Sequence, residues 1–472
     1  MILYMTSSYI SGILKTPLHD QWEASGLDNV WKNKKYYDVL FCGPSMSITN
    51  LSSEELYLQY NLTSITIGAP FQPLYQSYYA LKDALEVQQP QVVILDITSL
   101  FYEKEDMESL LETDEHHYLH YTIDGMHDLK NKYDAFKVAK EIKPDLNVWN
   151  YLSKYYYSHN NWENIEKENF VGTNGKNVLN GNLMLFSIYD NSGRVMSPYE
   201  IENTGEIQNI PEFNLEFLYK IIELCEQKHT ALVLLNGKVD FNWNWKSYNA
   251  VKQIAEENAL DYLDVNLFED EAGIDWTVDL SDDRHTNVIG AKKITDYVGE
   301  YLSENYSFAE HRNFEKYEDN KKRYEMVLNS MYTKQELYKT SEYDEVIKKL
   351  NELDSEENSI IICIKGNILQ DTEDEMLQIL KSLGLRKIDF IENEYVGIIK
   401  EGICQEYLDD NSVSCIIGGS NNVNVDIELN TENSNYGVRL SGYDIIEISD
   451  GINIIVYNSN IGVIAQRVFD KS

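Results

Sequence analysis

The sequence has few cysteines, few basic residues and no long apolar run. Five cysteines in 472 residues are too few for a disulfide scaffold. No segment reaches the roughly 18 consecutive apolar residues of a membrane-spanning helix, and no series of charged, apolar and small residues is typical of a signal peptide. Lys and Arg number 40 against 78 Asp and Glu, giving a formal charge of −38, which would repel nucleic acids and anionic lipids. We therefore expect a soluble chain without a nucleic-acid partner.

The cysteines and histidines form no metal-binding motif. Three cysteines lie inside apolar runs and are typical of buried thiols: Cys42, Cys225 and Cys363. Cys404 and Cys415 lie closer together in a looser region and could pair. Four histidines lie in residues 116–127, without a cysteine or a second carboxylate at zinc-ligand spacing. We expect no metal and no cofactor, and we interpret that segment as part of a polar helical insertion.

The first 303 residues alternate short apolar runs with stretches of helical periodicity. The apolar runs predict strands, and they include 37–42, 92–95, 231–235 and 261–265. Helices are predicted between them, at 213–225 and 248–258. This alternation predicts an α/β domain over residues 1–303, in which helices cover both faces of a parallel sheet. A helical insertion is expected at about 103–167.

The pattern changes after residue 303. Residues 304–357 are highly charged, with helical pieces at 314–332 and 341–353 and little that could form a core. They predict a charged helical linker. From 358 to 472, β-rich runs separated by Asn, Ser and Gly predict a small β-sandwich-like domain. The chain is therefore expected to hold two domains and a linker.

Two short motifs carry the candidate chemistry. Residues 43–47, Gly-Pro-Ser-Met-Ser, follow the first predicted strand, and residues 282–287 read Asp-Asp-Arg-His-Thr-Asn. A serine hydroxyl becomes a good nucleophile when an imidazole takes its proton and a carboxylate orients that imidazole. Ser45, His285 and Asp282 supply these three groups. The alternative is structural, because Gly-Pro-Ser turns are common between a strand and a helix.

The residues around both motifs resemble a divergent branch of the SGNH (GDSL-like) hydrolases. The likeness lies in four blocks and covers about residues 25 to 305: 37–47, 61–70, 89–96 and 279–295. The resemblance implies a flavodoxin-like three-layer α/β fold. It also implies that Ser45 is the nucleophile, His285 the general base and Asp282 the residue that orients it.

The same resemblance implies an oxyanion hole formed by the backbone N–H groups of Ser45 and Gly68. Two positions depart from the family pattern. Met46 stands where this branch usually has a histidine, and Asp96 lies near the place of an asparagine that donates to the oxyanion. An ionised carboxylate cannot donate and would repel the developing charge. If Asp96 faces the site, the oxyanion hole has two donors or a different third.

Three aromatic residues are candidates for substrate binding. His159 belongs to a His-x-x-Trp string that resembles one in the same branch, and it could line the acceptor pocket. Trp243 and Trp245 lie in a loop expected to cross the rim that carries the catalytic groups, where exposed rings would suit sugars. For all three residues the alternative is packing among other aromatic side chains.

The C-terminal segment resembles the interleukin-like EMT-inducer (ILEI) domain. The resemblance rests on residues 380–384, 451–458 and 468–470 and spans about 115 residues. It implies a β-sandwich and glycan binding. A structural spacer is the alternative.

Together the two resemblances imply a serine-dependent esterase or acyltransferase. Its expected substrates are O-acyl groups, in particular O-acetyl, on a bacterial-type cell-surface polysaccharide. A membrane-bound acyltransferase is the expected partner for transfer. The resemblance implies a cell-surface location, with the cytoplasm as the alternative. The alternative function is a non-catalytic glycan-binding protein with a degenerate hydrolase-like domain, which Met46 and Asp96 favour.

Overall fold

The structure is a computed structural model of the 472-residue chain. It describes residues 26–33, 36–111, 118–152, 178–193, 199, 202–237, 243–309, 315–340, 349–350, 352–365, 378, 380–390, 394–408, 412–417, 423–428, 437–440, 444–448 and 451–469. The chain forms two compact units, Met1–Lys322 and Arg323–Ser472. The division falls inside the predicted linker.

The first unit is built on a five-stranded parallel sheet. The strands of this unit are β1 Val39–Cys42, β2 Ser64–Thr66, β3 Val92–Asp96, β4 Val178–Leu179, β5 Asn182–Leu183, β6 Ala231–Asn236 and β7 Asp261–Asp264. The sheet has the order β2-β1-β3-β6-β7, and β4 pairs separately with β5 as a short hairpin. Every strand pair in the larger sheet is parallel, as the sequence predicts.

Helices cover both faces of this sheet. In chain order they are α1 Leu27–Lys32, α2 Ser45–Thr49, α3 Ser53–Tyr60, α4 Leu74–Ala84, α5 Lys104–Leu110, α6 Tyr118–Ile123, α7 Leu129–Ile142, α8 Val148–Leu152, α9 Glu212–Lys228, α10 Trp245–Glu257, α11 Val265–Phe268 and α12 Val288–Asn305. Helices α5 to α8 lie in the predicted insertion, of which residues 112–117 and 153–167 fall outside the described part. Helix α10 begins three residues before its predicted start because the Asn244 side chain caps it, accepting from the N–H groups of Lys246 and Ser247.

The core has two layers because successive side chains of a strand point to opposite faces. In β1, Leu40 and Cys42 pack in one apolar cluster with residues of α4 and α9. Val39 and Phe41 pack in the other, with residues of α3 and α12. All four are fully buried. The uninterrupted apolar run of β1 therefore forms an interior strand of the sheet. Such a run is expected when both faces of a sheet are covered by helices.

The strand order places a topological switch at β1. The chain passes from β1 outward to β2 and then returns to β3 on the other side of β1. In open parallel sheets, ligands bind beyond the carboxyl ends of the strands at such a point. Ser45 follows directly after β1, and Asp96 is the last residue of β3. The candidate nucleophile therefore lies at the edge where this fold class places its sites.

The charged segment after residue 303 differs from its prediction. Helix α13, Glu315–Lys339, is longer than the predicted helical piece and carries buried aromatic residues. Tyr317 is 1% exposed; its hydroxyl donates to the Ser64 carbonyl and its ring stacks on Tyr57. The expectation of little core-forming material was wrong, because widely spaced tyrosines supply apolar surface that a count of charges hides.

The second unit contains two antiparallel sheets. Its strands are β8 Asn358–Lys365, β9 Glu394–Lys400, β10 Ile403–Leu408, β11 Ser412–Ile417, β12 Val423–Glu428, β13 Gly437–Leu440, β14 Asp444–Glu447, β15 Gly451–Asn458 and β16 Gly462–Phe469. The sheets have the orders β10-β9-β8-β15-β16 and β11-β12-β13-β14. One apolar cluster combines Ile361 of the first sheet with Val438 and Ile446 of the second. The β-rich composition therefore predicted the sheets, and the sandwich itself stays a prediction.

Cys404 carries a free thiol that donates to the Leu383 carbonyl, so the disulfide with Cys415 that the sequence left open does not form. Cys42, Cys225 and Cys363 are buried free thiols, as their apolar neighbours predict. Among the residues that the structure describes, none of the helices is both long enough and apolar enough to span a bilayer.

Candidate active site

Gly43 allows the chain to turn from β1 into the helix that carries Ser45. Its φ is +144°, and a Cβ atom there would lie 2.7 Å from the Cβ of Asp96. Only glycine accepts both the backbone angle and the close approach to β3. Pro44 then precedes helix α2, whose first residue is Ser45. The sequence Gly-Pro-Ser thus places the serine at the start of a helix that follows β1, beside the carboxyl end of β3.

His285 lies in a loop that backbone pairing and one asparagine hold in place. Leu280 and Thr286 form an antiparallel bridge, and the Ser281 N–H donates to the His285 carbonyl at 2.8 Å. Asn287 is fully buried; its Nδ2 donates to the Val278 carbonyl at 2.6 Å while its Oδ1 caps helix α12. The loop between 278 and 288 is therefore held at both ends, and His285 lies near its tip.

The structure brings the three predicted catalytic side chains into one hydrogen-bonded chain. His285 Nε2 lies 2.8 Å from Ser45 Oγ, and His285 Nδ1 lies 2.8 Å from Asp282 Oδ2. The first of these contacts connects residues 240 positions apart in the sequence. With Nδ1 protonated, the imidazole donates to the carboxylate and presents Nε2 as an acceptor for the serine hydroxyl.

Asp282 is held as an anion. Burial opposes its ionisation, but the hydrogen bond from the His285 ring and those from the Arg284 and His285 N–H groups outweigh it and lower the pKa of Asp282 to about 2. The two N–H groups donate to Oδ1 at 2.9 and 2.8 Å. The carboxylate is thus fixed at one oxygen by its own loop and uses the other for the imidazole, an arrangement that stabilises an imidazolium.

Gly68, the second predicted oxyanion donor, lies against the turn that carries Ser45. A Cβ at Gly68 would come within 2.4 Å of Ser47 Oγ and 2.7 Å of the Gly43 carbonyl oxygen. On either side of it, Ile67 and Ala69 donate their N–H groups to carbonyls of Phe41 and Gly43. The segment after β2 therefore runs alongside the segment after β1, and only a glycine fits at position 68.

Asp96 and Met46, the two departures from the family pattern, both support the surrounding loops. Asp96 is 1% exposed. Its Oδ1 accepts from the N–H and hydroxyl of Thr98, and its Oδ2 accepts from the Gly237 N–H at 3.1 Å. Met46 is 4% exposed and its sulfur lies 3.5 Å from Asn50 Nδ2. Both Asp96 oxygens are thus occupied by the loops after β3 and β6, and Asp96 does not line the cavity beside Ser45.

Asn50, which the sequence did not single out, joins three loops of the site. It is 1% exposed and follows helix α2 directly. Its Oδ1 accepts from the Thr286 N–H at 3.0 Å, and its Nδ2 donates to the Gly237 carbonyl at 2.7 Å. One buried amide therefore connects the Ser45 helix, the residue next to His285 and the loop that holds Asp96.

A cavity of about 280 Å³ opens beside the triad. Its walls are mainly apolar and come from five separate parts of the chain. They consist of Pro44, Ser45, Met46, Thr49, Pro70, Phe71, Thr98, Tyr102, Leu183, Leu185, Asp282, Arg284 and His285. All three triad residues contribute to this wall, so a molecule in the cavity would contact the serine hydroxyl directly.

The two tryptophans that are candidates for sugar binding lie away from the cavity. Trp243 is 3% exposed, packs edge-on against Phe101 and donates its Nε1–H toward the Tyr262 hydroxyl at 3.3 Å. Trp245 packs edge-on against Tyr199. Neither residue lines the cavity, and His159 lies outside the described residues. The packing alternative accounts for the contacts of both tryptophans.

Several residues of the cavity wall gave no signal in the sequence. Leu183 and Leu185 follow a stretch without readable periodicity, and Phe71 follows the block that contains Gly68. In the described part of the chain, no group of three His, Cys, Asp or Glu side chains could hold a metal ion.

No protein-family model matches this chain, and no curated protein matches it either. The SGNH-like and ILEI-like resemblances therefore stay predictions. What the structure adds is geometric: an α/β unit with a hydrogen-bonded Ser–His–Asp arrangement at the carboxyl edge of its parallel sheet.

Proposed function

We propose that the chain is a serine-dependent acyl esterase or acyltransferase of the SGNH type, with Ser45 as its nucleophile. The observation that carries the proposal is the pair of 2.8 Å contacts that link Asp282, His285 and Ser45 beside an open cavity. A buried structural serine would have no use for a histidine that is itself oriented by an ionised carboxylate. The nucleophile, base and orienter have the mutual geometry that acyl transfer requires.

In the proposed reaction, Ser45 Oγ attacks the carbonyl carbon of an ester while His285 Nε2 takes the hydroxyl proton. The imidazolium that forms is stabilised by the Asp282 carboxylate and then gives its proton to the departing alcohol oxygen. The acyl group remains on Ser45. Attack by water on this acyl-enzyme gives hydrolysis, and attack by a second hydroxyl gives transfer; His285 serves as base in either case.

The oxyanion donors of the proposal are the N–H groups of Ser45 and Gly68. Ser45 is the first residue of helix α2, where N–H groups have no partner within the helix. Gly68 lies against the same turn. Asp96 is not needed as a donor, because its carboxylate binds Thr98 and Gly237. Loss of one oxyanion donor typically lowers kcat by about 10²–10³-fold.

The polysaccharide substrate, the cell-surface location and a membrane-bound acyltransferase partner are carried by the sequence resemblance. A neutral glycan is compatible with the formal charge of −38, whereas a strongly anionic polymer is not. Hydrolysis and transfer are distinguished by adding a neutral oligosaccharide to the esterase reaction. Acylated oligosaccharide detected by mass spectrometry indicates transfer, and free acid alone indicates hydrolysis.

The test of the proposal is a comparison of the native protein with Ser45→Ala. We expect hydrolysis of p-nitrophenyl acetate and butanoate by the native protein, and one covalent adduct after treatment with a small active-serine phosphonate. Both should be lost in Ser45→Ala, with kcat lowered by about 10⁴–10⁶-fold. Ser109→Ala is the matched control, because Ser109 is exposed on α5 and its hydroxyl donates to the Glu105 carbonyl.

An adduct on Ser45→Ala, or equal hydrolysis by both variants, would refute the assignment of Ser45. No adduct and no hydrolysis in the native protein would favour the glycan-binding alternative instead. That alternative is tested directly by binding of the full chain to a glycan array.

A further inference from the structure

We propose that the cavity beside Ser45 binds the acyl group of the substrate, and that it selects an unbranched aliphatic chain of roughly four to eight carbons over acetyl. This inference rests on the proposed function, because it assigns a part of the substrate to the wall next to the nucleophile. It departs from the acetyl group that the sequence resemblance implies.

The size of the cavity is the first argument. An apolar cavity of about 150 Å³ holds a benzene ring of six carbons, and this cavity measures about 280 Å³. An acetyl group would cover only a small part of the apolar wall and leave the rest facing water, whereas a longer chain would remove more apolar surface from water. The volume also falls just below the roughly 300–1,000 Å³ of sites that enclose larger ligands. It therefore suits a short or medium aliphatic chain better than a length of polysaccharide.

The chemistry of the walls is the second argument. Seven of the lining residues present mainly carbon: Pro44, Met46, Pro70, Phe71, Tyr102, Leu183 and Leu185. Two lining hydroxyls already donate inside the protein, from Thr49 to Asn50 and from Thr98 to Asp96. The ionisable groups of the wall, Asp282, Arg284 and His285, all come from the one catalytic loop, and the rest of the wall is mainly apolar. Along that apolar part, burial of each methylene group is favourable by about 0.8 kcal/mol.

The leucine wall is held firmly, which a selective pocket requires. Between Leu183 and Leu185, Met184 points to the interior and is 6% exposed. On one side, Asn182 bonds to the Ser53 and Thr66 hydroxyls at 2.8 Å each. On the other, the Leu185 carbonyl accepts from the Val288 N–H at 3.0 Å. The wall is thus fixed to β2, α3 and the start of α12, and it defines a limited space.

Phe71 gives the third argument. Its φ is +52°, a left-handed conformation that is unfavourable for a bulky residue, and its side chain is 40% exposed. Its ring contacts Tyr118 edge-on at 5.2 Å. Backbone strain of this kind costs about 1–3 kcal/mol and clusters at functional sites. A strained, exposed aromatic residue on the cavity wall is explained if its ring covers an apolar ligand.

The experiment measures kcat/KM for p-nitrophenyl esters of acetyl, butanoyl, hexanoyl and dodecanoyl groups, so that only the acyl chain changes. The protein is the full native chain, and a small phosphonate is used in parallel to label Ser45. We expect kcat/KM to rise about fourfold for each methylene up to hexanoyl, or roughly 250-fold over the four methylenes added to acetyl. It should fall for dodecanoyl, which exceeds the cavity.

Leu183→Trp is the variant that narrows the cavity, and Leu267→Trp is its matched control because Leu267 is 42% exposed on α11. Leu183→Trp should lower kcat/KM for hexanoyl by a larger factor than for acetyl, so that the rise with chain length is lost, and its Tm shows whether the variant is folded. Leu267→Trp should behave like the native protein.

Labelled Ser45 together with rates that stay flat or fall from acetyl onward would overturn the acyl assignment and leave the proposed function standing. Equal loss of the rise in both tryptophan variants would overturn it as well. Failure of the native protein to label would remove the proposed function and this inference with it.

Discussion

Two polar clusters lie at the carboxyl edge of the same parallel sheet, and each is centred on an aspartate. The two clusters shift the pKa of that aspartate in opposite directions. Asp282 is half exposed, lines the cavity and has a pKa lowered to about 2. Asp264, the last residue of β7, is 3% exposed, and burial raises its pKa despite the hydrogen bonds it accepts. One carboxyl group is therefore maintained as an anion beside solvent, and the other is held in the interior.

The partners explain the contrast. Asp264 accepts from the hydroxyls of Tyr199 and Tyr262 at 2.7 and 3.0 Å, and from the side chains of Asn236 and Asn266 at 3.0 Å each. These neutral donors tie β6, β7 and the Tyr199 segment together. They offer no base and no nucleophile. A buried network of hydrogen bonds is therefore not by itself a sign of a catalytic site. The distinguishing feature of Asp282 is that it is bonded to a histidine that lines the cavity.

The contrast also accounts for the surroundings of the two tryptophans that are candidates for sugar binding. Trp243 donates toward Tyr262, and Trp245 packs on Tyr199, so both belong to the Asp264 cluster. A sequence shows that aromatic residues lie near the active edge of a sheet. It does not show which of two neighbouring clusters they join.

The strongest way to test the contrast is to neutralise Asp282. Asp282→Asn replaces an acceptor that holds the His285 Nδ1–H, so the imidazole loses its orientation and the imidazolium its counter-ion. We expect kcat to fall by about 10³–10⁴-fold, measured on p-nitrophenyl butanoate, with little change in KM.

The neighbouring substitution Asp283→Asn is the control, since Asp283 is 62% exposed and pairs with Arg284. It should change kcat by less than about threefold, as surface ion pairs contribute little. Equal effects of the two substitutions would contradict the role of Asp282.

Asn50 allows a second test, of smaller expected effect. Asn50→Leu leaves the Thr286 N–H and the Gly237 carbonyl unpaired in the interior, at a cost of about 1–3 kcal/mol for each buried group. Because Thr286 adjoins His285, we expect kcat and the rate of phosphonate labelling to fall together by about 10–10²-fold.

Gln88→Leu is the matched control for Asn50→Leu. Gln88 is 1% exposed and likewise bonds to backbone groups, the carbonyls of Val30 and Asn33, but it lies outside the cavity wall. It should lower Tm without lowering kcat at a temperature where both variants are folded. If both variants keep native kcat, Asn50 is structural only.

The sequence predicted the features of the fold that repeat locally. The apolar runs of β1 and β3 and the Asp-x-x-His loop before α12 could be recognised because each depends on neighbouring residues. Asn50 could not, since its partners Thr286 and Gly237 lie about 190 to 240 positions away. Tyr317 was missed for the same reason: its partner Ser64 is 253 positions distant. Local periodicity indicates strands and helices, but only the assembled sheet edge shows which loops meet.

The two aspartates can be compared most directly through the pH dependence of the free energy of unfolding. This is also the smallest of the expected effects. Because the pKa of Asp282 is lowered in the folded protein, the unfolded chain protonates this carboxylate at a higher pH, near 4, than the folded protein does. Its contribution to stability is therefore present above pH 4 and is lost as pH falls toward 2. Solvent screening at a half-exposed carboxylate keeps the effect below about 1 kcal/mol.

Asp264 should show the opposite sign. Its raised pKa means that the folded protein retains the proton above about pH 4, where the unfolded chain has lost it. Its contribution is thus full below pH 4 and is lost as pH rises through the folded pKa.

Asp264→Asn should remove this slope with less than about threefold change in kcat, because tyrosine hydroxyls can accept from the new amide as well as donate. Urea unfolding of Asp264→Asn, Asp282→Asn and the native chain from about pH 2 to pH 7 measures both slopes. Asp145→Asn, at a residue that is 76% exposed, corrects for the loss of one surface charge. Slopes of the same sign for the two aspartates would show that the two clusters do not differ as their surroundings indicate.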